Sequence, residues 1–356
     1  MKKSLLVLSV LLALGSCKEK NEKVSDANEK GQKPVLNENG DTVALVENDS
    51  VETTINQVVA DDSALKKNDD GSYTFRYNLK KGETYPFLLK ISQDNSISSQ
   101  GQTMNISSSR TMNFDYFVEE TTDNKFKLKA TFKGFGENAK GLDGQTMAYD
   151  TNSAKPADKD VAQSWTIYKA ITGQSFTMDV DDKGKVLSVS GLEKIVSNTL
   201  AKLKNDFTAE EQSQIKELLN VSLSSESIKG QFEESLNIFP DKNLKIGEEW
   251  SDTQNISEGP VKGNVKVTRT LKEIKDGKAK ITVSGVQDVS GSGIQNGISA
   301  VMKNHATLTG YIDLDLETGW IKKVSITKKE TVNNTYQQGD QKQTETGTTT
   351  LITTVN

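Results

Sequence analysis

Cysteine and histidine are almost missing from this sequence: Cys17 and His305 are the single examples of each in 356 residues. A disulfide framework needs cysteines in pairs, and a zinc site needs several Cys or His ligands, so neither can be built. Ser-His and Cys-His pairs are not in prospect either, and nucleophilic catalysis would have to rest on a Ser-Lys pair. A basic surplus is also lacking. The 44 Lys+Arg face 49 Asp+Glu for a net charge of -5, with no clustered basic block, which argues against a nucleic-acid partner. No apolar run reaches the roughly 20 residues that a membrane-crossing helix needs. Aromatic residues are absent before Tyr73.

What is present begins at the first residues. Lys2 and Lys3 precede an apolar run from Leu5 to Leu14 of signal-peptide length. It ends in Leu14-Gly15-Ser16-Cys17, which resembles a bacterial lipobox, and the chain's one cysteine stands where that motif places the lipidated thiol. The expectation is a signal peptide over residues 1–16 and a mature chain held on a membrane by acyl groups on Cys17, since two such chains already anchor stably. The compartment that follows is the cell envelope, at the outer membrane of a Gram-negative bacterium.

Residues 17–72 read as a tether. Lys, Glu, Asp and Asn crowd a segment without aromatics, and it cannot bury enough apolar surface to offset chain entropy. A small hairpin from Val35 to Val46 around Asn39-Gly40 is the one local exception. Three triplets, Asp41-Thr42-Val43, Asp49-Ser50-Val51 and Asp62-Ser63-Ala64, resemble the O-glycosylation acceptor of Bacteroidota, which makes Thr42, Ser50 and Ser63 candidate sugar sites. Short triplets of common residues also arise by chance.

From Tyr73 the pattern turns to alternating strands, and it repeats. Leu79-Lys80-Lys81-Gly82-Glu83-Thr84-Tyr85 returns as Leu244-Lys245-Ile246-Gly247-Glu248-Glu249-Trp250. Two hairpin-like stretches follow in the same order, turning at Asp123-Asn124 and Asp276-Gly277, and then two Asp- and Gly-containing turns, ending at Gly184 and Gly319. Between the copies Leu192, Ile195, Val196, Leu200 and Leu203 recur at helical spacing, and Thr208 with Glu211 has the form of a capping box. Ser225 is placed to cap a third helix, and Val161, Trp165, Tyr168 and Ile171 mark one more, closed by Gly173. The predicted fold is α+β: duplicated, curved antiparallel β-sheet units over residues 73–190 and 239–356, joined by a helical connector over 191–238 packed on the concave face. The stripe from Leu192 to Leu203 either packs on the sheet or lines a ligand cavity.

Constellations for chemistry are thin. Asp179, Asp181 and Gly184 imitate the start of a calcium loop, but Lys183 and Ser190 stand where ligands belong. Ser325 and Lys328 sit three apart in a strand, which places them on opposite faces. His305 falls on the polar side of an alternating run. Neither an enzyme nor a metal or cofactor site is expected.

The motifs around Gly82 and Gly247, Ser175-Phe176-Thr177-Met178-Asp179, Phe239-Pro240-Asp241-Lys242 and Thr318-Gly319-Trp320-Ile321 resemble a Bacteroidota lipoprotein family classed as a domain of unknown function. A looser likeness is to the half-barrels of periplasmic lipoprotein carriers. The family resemblance implies an envelope location and no activity; the looser likeness to the carriers suggests an apolar or lipidic ligand, and the alternative is a surface accessory lipoprotein with a protein or glycan partner. The anchor is open to a direct check. Cys17→Ser should move the protein from the membrane to the soluble fraction, and retention on membranes through a high-salt wash would reveal a second anchor.

Overall fold

Alternation of apolar and polar residues, in eight strands of 15 or more positions, sets the architecture. The computed structural model describes residues 63–141, 145–295 and 298–356. In chain order the elements are β1 (Leu65–Lys67), β2 (Tyr73–Phe75), β3 (Thr84–Ser99), β4 (Gln102–Thr122), β5 (Lys125–Lys140), β6 (Thr146–Asp150), α1 (Lys159–Ile171), β7 (Ser175–Asp181), β8 (Val186–Ser190), α2 (Leu192–Leu203), α3 (Ala209–Ser222), α4 (Ser225–Leu236), β9 (Glu249–Glu258), β10 (Val261–Lys275), β11 (Lys278–Gln295), β12 (Ile298–Asp315), β13 (Ile321–Gln338) and β14 (Gln341–Val355). β1 and β2 pair as a small hairpin. The other twelve strands form one sheet in the order β8-β7-β5-β4-β3-β14-β13-β12-β11-β10-β9, with β6 beside β5. Every pairing is antiparallel. The two β-rich halves are a single sheet because β14 pairs with β3, from Leu89 opposite Val355 to Ser99 opposite Glu345.

The contacts around two glycines recur in the two halves. Gly82 and Gly247 both take positive φ, at 86° and 92°, a backbone conformation that favours glycine. Gly82 N–H donates to Val118 and Val118 N–H to Glu83; Gly247 N–H donates to Leu271 and Leu271 N–H to Glu248. Each strand held this way bulges just beyond the contact, between Val118 and Glu120 or between Leu271 and Glu273. The turns ending at Gly184 and Gly319 are similar but differ in reach: Gly184 N–H donates to Asp181 O three residues back, and Gly319 N–H to Asp315 O four residues back.

The core gathers at one end of the sheet, where these turns lie. Strand pairing places Tyr85, Phe87, Phe114, Tyr116, Leu128 and Phe132 on one face, and all are buried. Phe232 of α4 meets Phe114, Tyr116 and Phe176 at centroid separations of 5.6, 5.6 and 5.8 Å, so the helices cover that face. Trp320 adds ring contacts to Tyr77, Tyr85, Phe87 and Tyr116, and its Nε1 donates to Pro86 O at 3.1 Å. The expected capping box is formed by Thr208 and Glu211. α4 is capped by Ser224, which accepts from Ser227 N–H, one residue ahead of the expected Ser225.

Of the two readings of the α2 stripe, core packing is the one seen: Leu192, Ile195, Val196 and Leu203 are core residues, with Leu200 half-buried against them. The tether expectation needs correction, since the tether does not reach residue 72. Ala64 and Leu65 are fully buried, and the polar run that follows is the β1–β2 turn, in which Asp70 Oδ1 accepts from Ser72 N–H and Oγ–H at 2.9 and 2.6 Å. Ser63 is itself buried, its hydroxyl donating to Leu65 O at 3.0 Å, so it is closed to a glycosylating enzyme in the folded protein. Cys17, Thr42, Ser50 and the Val35 to Val46 hairpin lie outside the described residues.

Two stability measurements follow. Ile195, 1% exposed, should cost about 2–5 kcal/mol on truncation to Ala in urea unfolding, through lost burial and the space left behind. The second concerns buried tyrosines. Burial pushes the hydroxyls of Tyr77, Tyr116 and Tyr149 far above the ordinary 10.0, and burial with Glu137 nearby pushes Tyr168 up to about 12. The unfolded chain therefore gives up these protons first, and above pH 10 it binds fewer than the folded one. Stability should be intact below that pH and fall by about 1.4 kcal/mol per pH unit for each such tyrosine above it. Tyrosinate absorbance from these residues should appear together with loss of the circular dichroism of the sheet; its appearance in the still-folded protein would contradict their burial.

Candidate functional site

Far more strand is built than the core uses. At ~3.4 Å per residue the 21-residue β4 is about 70 Å long, yet its fully buried residues, Phe114, Tyr116 and Val118, all lie toward one end. Beyond the helices the sheet keeps its two-sidedness. The face continuous with the core presents Ile91 and Ile97 of β3, Leu351 of β14, Val332 of β13, Leu308 and Met302 of β12, Val289 of β11 and Val265 of β10. These side chains are half-buried. The opposite face of the same strands presents Thr346 and Thr348, Thr331 and Asn333, Lys303, His305 and Thr307, Ser290 and Ser292, and is mostly exposed. Its few large apolar residues are Val286, Ile294, Val301 and Ile352, of which only Ile294 and Val301 are near each other, as diagonal neighbours.

Glycines on the apolar face let neighbouring strands approach closely. A Cβ at Gly310 would run into the Ser325 carbonyl oxygen and one at Gly263 into that of Asp288, while one at Gly285 would sit 2.8 Å from Lys266 O. Glycines placed this way permit a sheet to bend.

Charge enters this face as pairs. Glu137 accepts from Arg110 Nε and Nη2 at 3.1 and 3.0 Å, and from the Tyr149 hydroxyl at 3.3 Å. Toward the far edge Arg269 pairs with Asp252 at 2.5 Å. Midway, Lys328 Nζ lies 2.9 Å from Glu330 Oε2, and Asn304 Nδ2 donates to Glu330 Oε1. The side-chain oxygens of Asn304 and of Asn334 on the same face are shielded from solvent and have no hydrogen-bond partner.

A cavity of ≈ 30 Å³ does lie beneath the helices, lined by Met112, Phe114, Phe135, Ile167, Tyr168 and Leu223 among others, and none of the α2 stripe borders it. Sites for small organic ligands run to ~300–1,000 Å³. This one holds no lipid.

The remaining sequence candidates are structural. Asp181 Oδ1 accepts from the N–H groups of Lys183 and Lys185 at 3.0 and 2.8 Å, and Asp179 from the Ser188 hydroxyl at 2.6 Å, as in a hairpin turn. Lys183 donates to the carbonyls of Phe75 and Pro240, its pKa lowered by burial despite the nearby Asp182 and Asp241. Among the described residues no group of three or more His, Cys, Asp or Glu is placed to hold a metal ion. His305 meets Asp288 at 2.7 Å on the exposed face. Ser325 and Lys328 lie on opposite faces of β13. The inner face itself was missed in the sequence, although alternation within each strand was visible there.

Among solved structures, that of lipovitellin, described under lipid-protein interactions, is similar at 10% identity and a TM-score of 0.36. The match covers 76% of this chain and 25% of that one, so the chain spans about a quarter of lipovitellin's length. Two Pseudomonas aeruginosa proteins are similar at lower scores. OccK7 (OpdD) has 5% identity and a TM-score of 0.18, over 77% of this chain and 99% of its own. OccK5 (OpdH) has 6% and 0.21, over 76% and 98%. Likeness this slight carries no argument. No curated protein matches the sequence. Residues 123–321, more than half of the chain, match a family of unknown function, DUF6263, and the chain belongs to that family.

Proposed function

We propose that this protein is a non-enzymatic, lipid-anchored envelope protein that holds the acyl chains of a lipid on the inner face of its sheet. The observation that carries this is the difference between the two faces beyond the helices: half-buried and rich in aliphatic residues on one side, with uncharged polar residues such as Gln93, Asn95, Thr349 and Gln287 among them, and polar and mostly exposed on the other, in the same strands. Neighbours along and across a strand crowd both faces equally in a flat sheet. One-sided burial with no described helix over β10 to β14 fits a sheet bent toward its apolar face, and the close strand approaches at Gly263, Gly285 and Gly310 supply the means. An acyl chain in such a trough gains ~0.8 kcal/mol per buried methylene. Acyl groups on Cys17 would hold the protein at the outer membrane, close to its ligand.

The same reading takes the sheet as two copies of one unit. Matching glycines, bulges and turns support duplication, and the helices between the copies cover the concave face of the first. The trough then falls largely to the second copy, which has no helices of its own among the described residues.

Leu351 and Ile352 are adjacent in β14 and point to opposite faces, which makes the test internal. Leu351→Asp should reduce binding of a fluorescent fatty acid by the full-length protein about tenfold or more, since it removes an aliphatic side chain from the inner face and sets a carboxylate opposite Lys328, where it repels the fatty acid's own carboxylate. Ile352→Asp should leave binding unchanged. Equal effects of the two substitutions, or no binding by the wild type, would remove the lipid reading; the surface-accessory reading, with β9 as an open sheet edge, would then stand.

A further inference from the structure

The polar set at the middle of the inner face lacks partners for some of its own atoms. Both carboxylate oxygens of Glu330 are engaged, one by Lys328 and one by Asn304. The contact to Glu330 uses the amide nitrogen of Asn304, so the amide oxygen points elsewhere. That oxygen and Asn334 Oδ1 are both shielded and unpartnered. Strand register sets Asn304 beside Val332 and Asn334 beside Met302, which makes the two diagonal neighbours on one face, roughly 7–8 Å apart. Shielding an acceptor without giving it a donor is unfavourable, and here two such acceptors lie side by side. What would satisfy them is a group rich in N–H or O–H. The local charge selects further: Glu330 and, beside Asn334, Glu345 of β14 face this spot against Lys328. Lys328 has N–H groups to spare beyond its contact with Glu330.

We propose that Asn304, Asn334, Glu330 and Lys328 form a head-group subsite that selects a phospholipid bearing a primary ammonium. Its N–H groups reach the two amide oxygens, Glu330 offsets its positive charge, and Lys328 meets the phosphate. This rests on the lipid-binding reading and adds to it the class of lipid. A trimethylammonium head carries the same charge without N–H donors, so comparison of the two isolates the hydrogen bonds.

The full-length protein, freed of bound lipid, is incubated with vesicles of equal parts phosphatidylethanolamine and phosphatidylcholine with identical acyl chains. It is then reisolated, and the lipid it carries is identified by mass spectrometry. The ethanolamine lipid should be enriched about fivefold over the vesicle ratio, the scale of one or two hydrogen bonds. In Asn304→Leu/Asn334→Leu the ratio should return to that of the vesicles, with total bound lipid maintained. Asn334→Leu alone, expected to lose part of the preference, serves if the double variant does not fold by circular dichroism. Both lipids bound at the vesicle ratio by the wild type would overturn the subsite and leave the apolar face intact. A preference that survives the substitutions would place selection elsewhere and overturn it too. Absence of either lipid would overturn the lipid-binding reading beneath it. Excess soluble phosphoethanolamine should not displace the bound lipid; displacement would make a free zwitterion the occupant and overturn the phospholipid.

Discussion

The long strands of this protein have one side richer in apolar residues, and among the described residues the helices cover only one end of it. The rest of the structure follows from that mismatch. Where α1 to α4 and the β1–β2 hairpin meet the sheet, aromatic side chains fill the space: Phe232 against Phe114, Tyr116 and Phe176, and Trp320 against Tyr77, Tyr85, Phe87 and Tyr116. Past that filled region the same side of the strands carries smaller aliphatic residues, glycines and uncharged polar residues such as Gln93, Asn95, Thr349 and Gln287, with charged pairs among them. The first region is a core by its packing. The second is finished on one side only.

Much of the architecture was legible in the residues. The matched glycine motifs, the hairpin turns at Asp123-Asn124 and Asp276-Gly277 and the capping box at Thr208 each depend on side chains within a few positions of one another, and each is present. What depended on distant partners was not legible. Ser63 to Asp70 looks like tether because Lys66, Lys67, Asn68, Asp69 and Asp70 dominate its composition, and backbone bonds such as those of Ala64 and Leu65 to Glu317 and Leu316 place it in the fold. The stripe of α2 was correctly seen as one helix face, but periodicity does not say whether such a face meets a core or a ligand. The candidate site was invisible for a related reason: alternation identifies two faces, and only the arrangement of neighbouring strands shows which one lacks a cover.

The midface cluster differs from the other two charged pairs in what it leaves over. Glu137 takes hydrogen bonds from both Arg110 and Tyr149, and Arg269 reaches Asp252 at the sheet edge. The cluster around Glu330 leaves two shielded oxygens without donors. A group retained purely for stability would be better replaced by an apolar residue on this face.

The pairing of β14 with β3 also governs how the sheet is assembled. It joins residues as far apart as Leu89 and Val355, 266 positions along the chain (355 minus 89), and β14 occupies the middle of the strand order, with five strands to either side on the main path. During synthesis β3 is complete long before its partner exists, and until then it presents an open edge on which another copy can add a strand. Such long-range pairing is slow to form. A stop codon shortly before β14 would therefore not trim a fringe. It would take out the centre of the sheet and leave two half-sheets, each with a fresh edge.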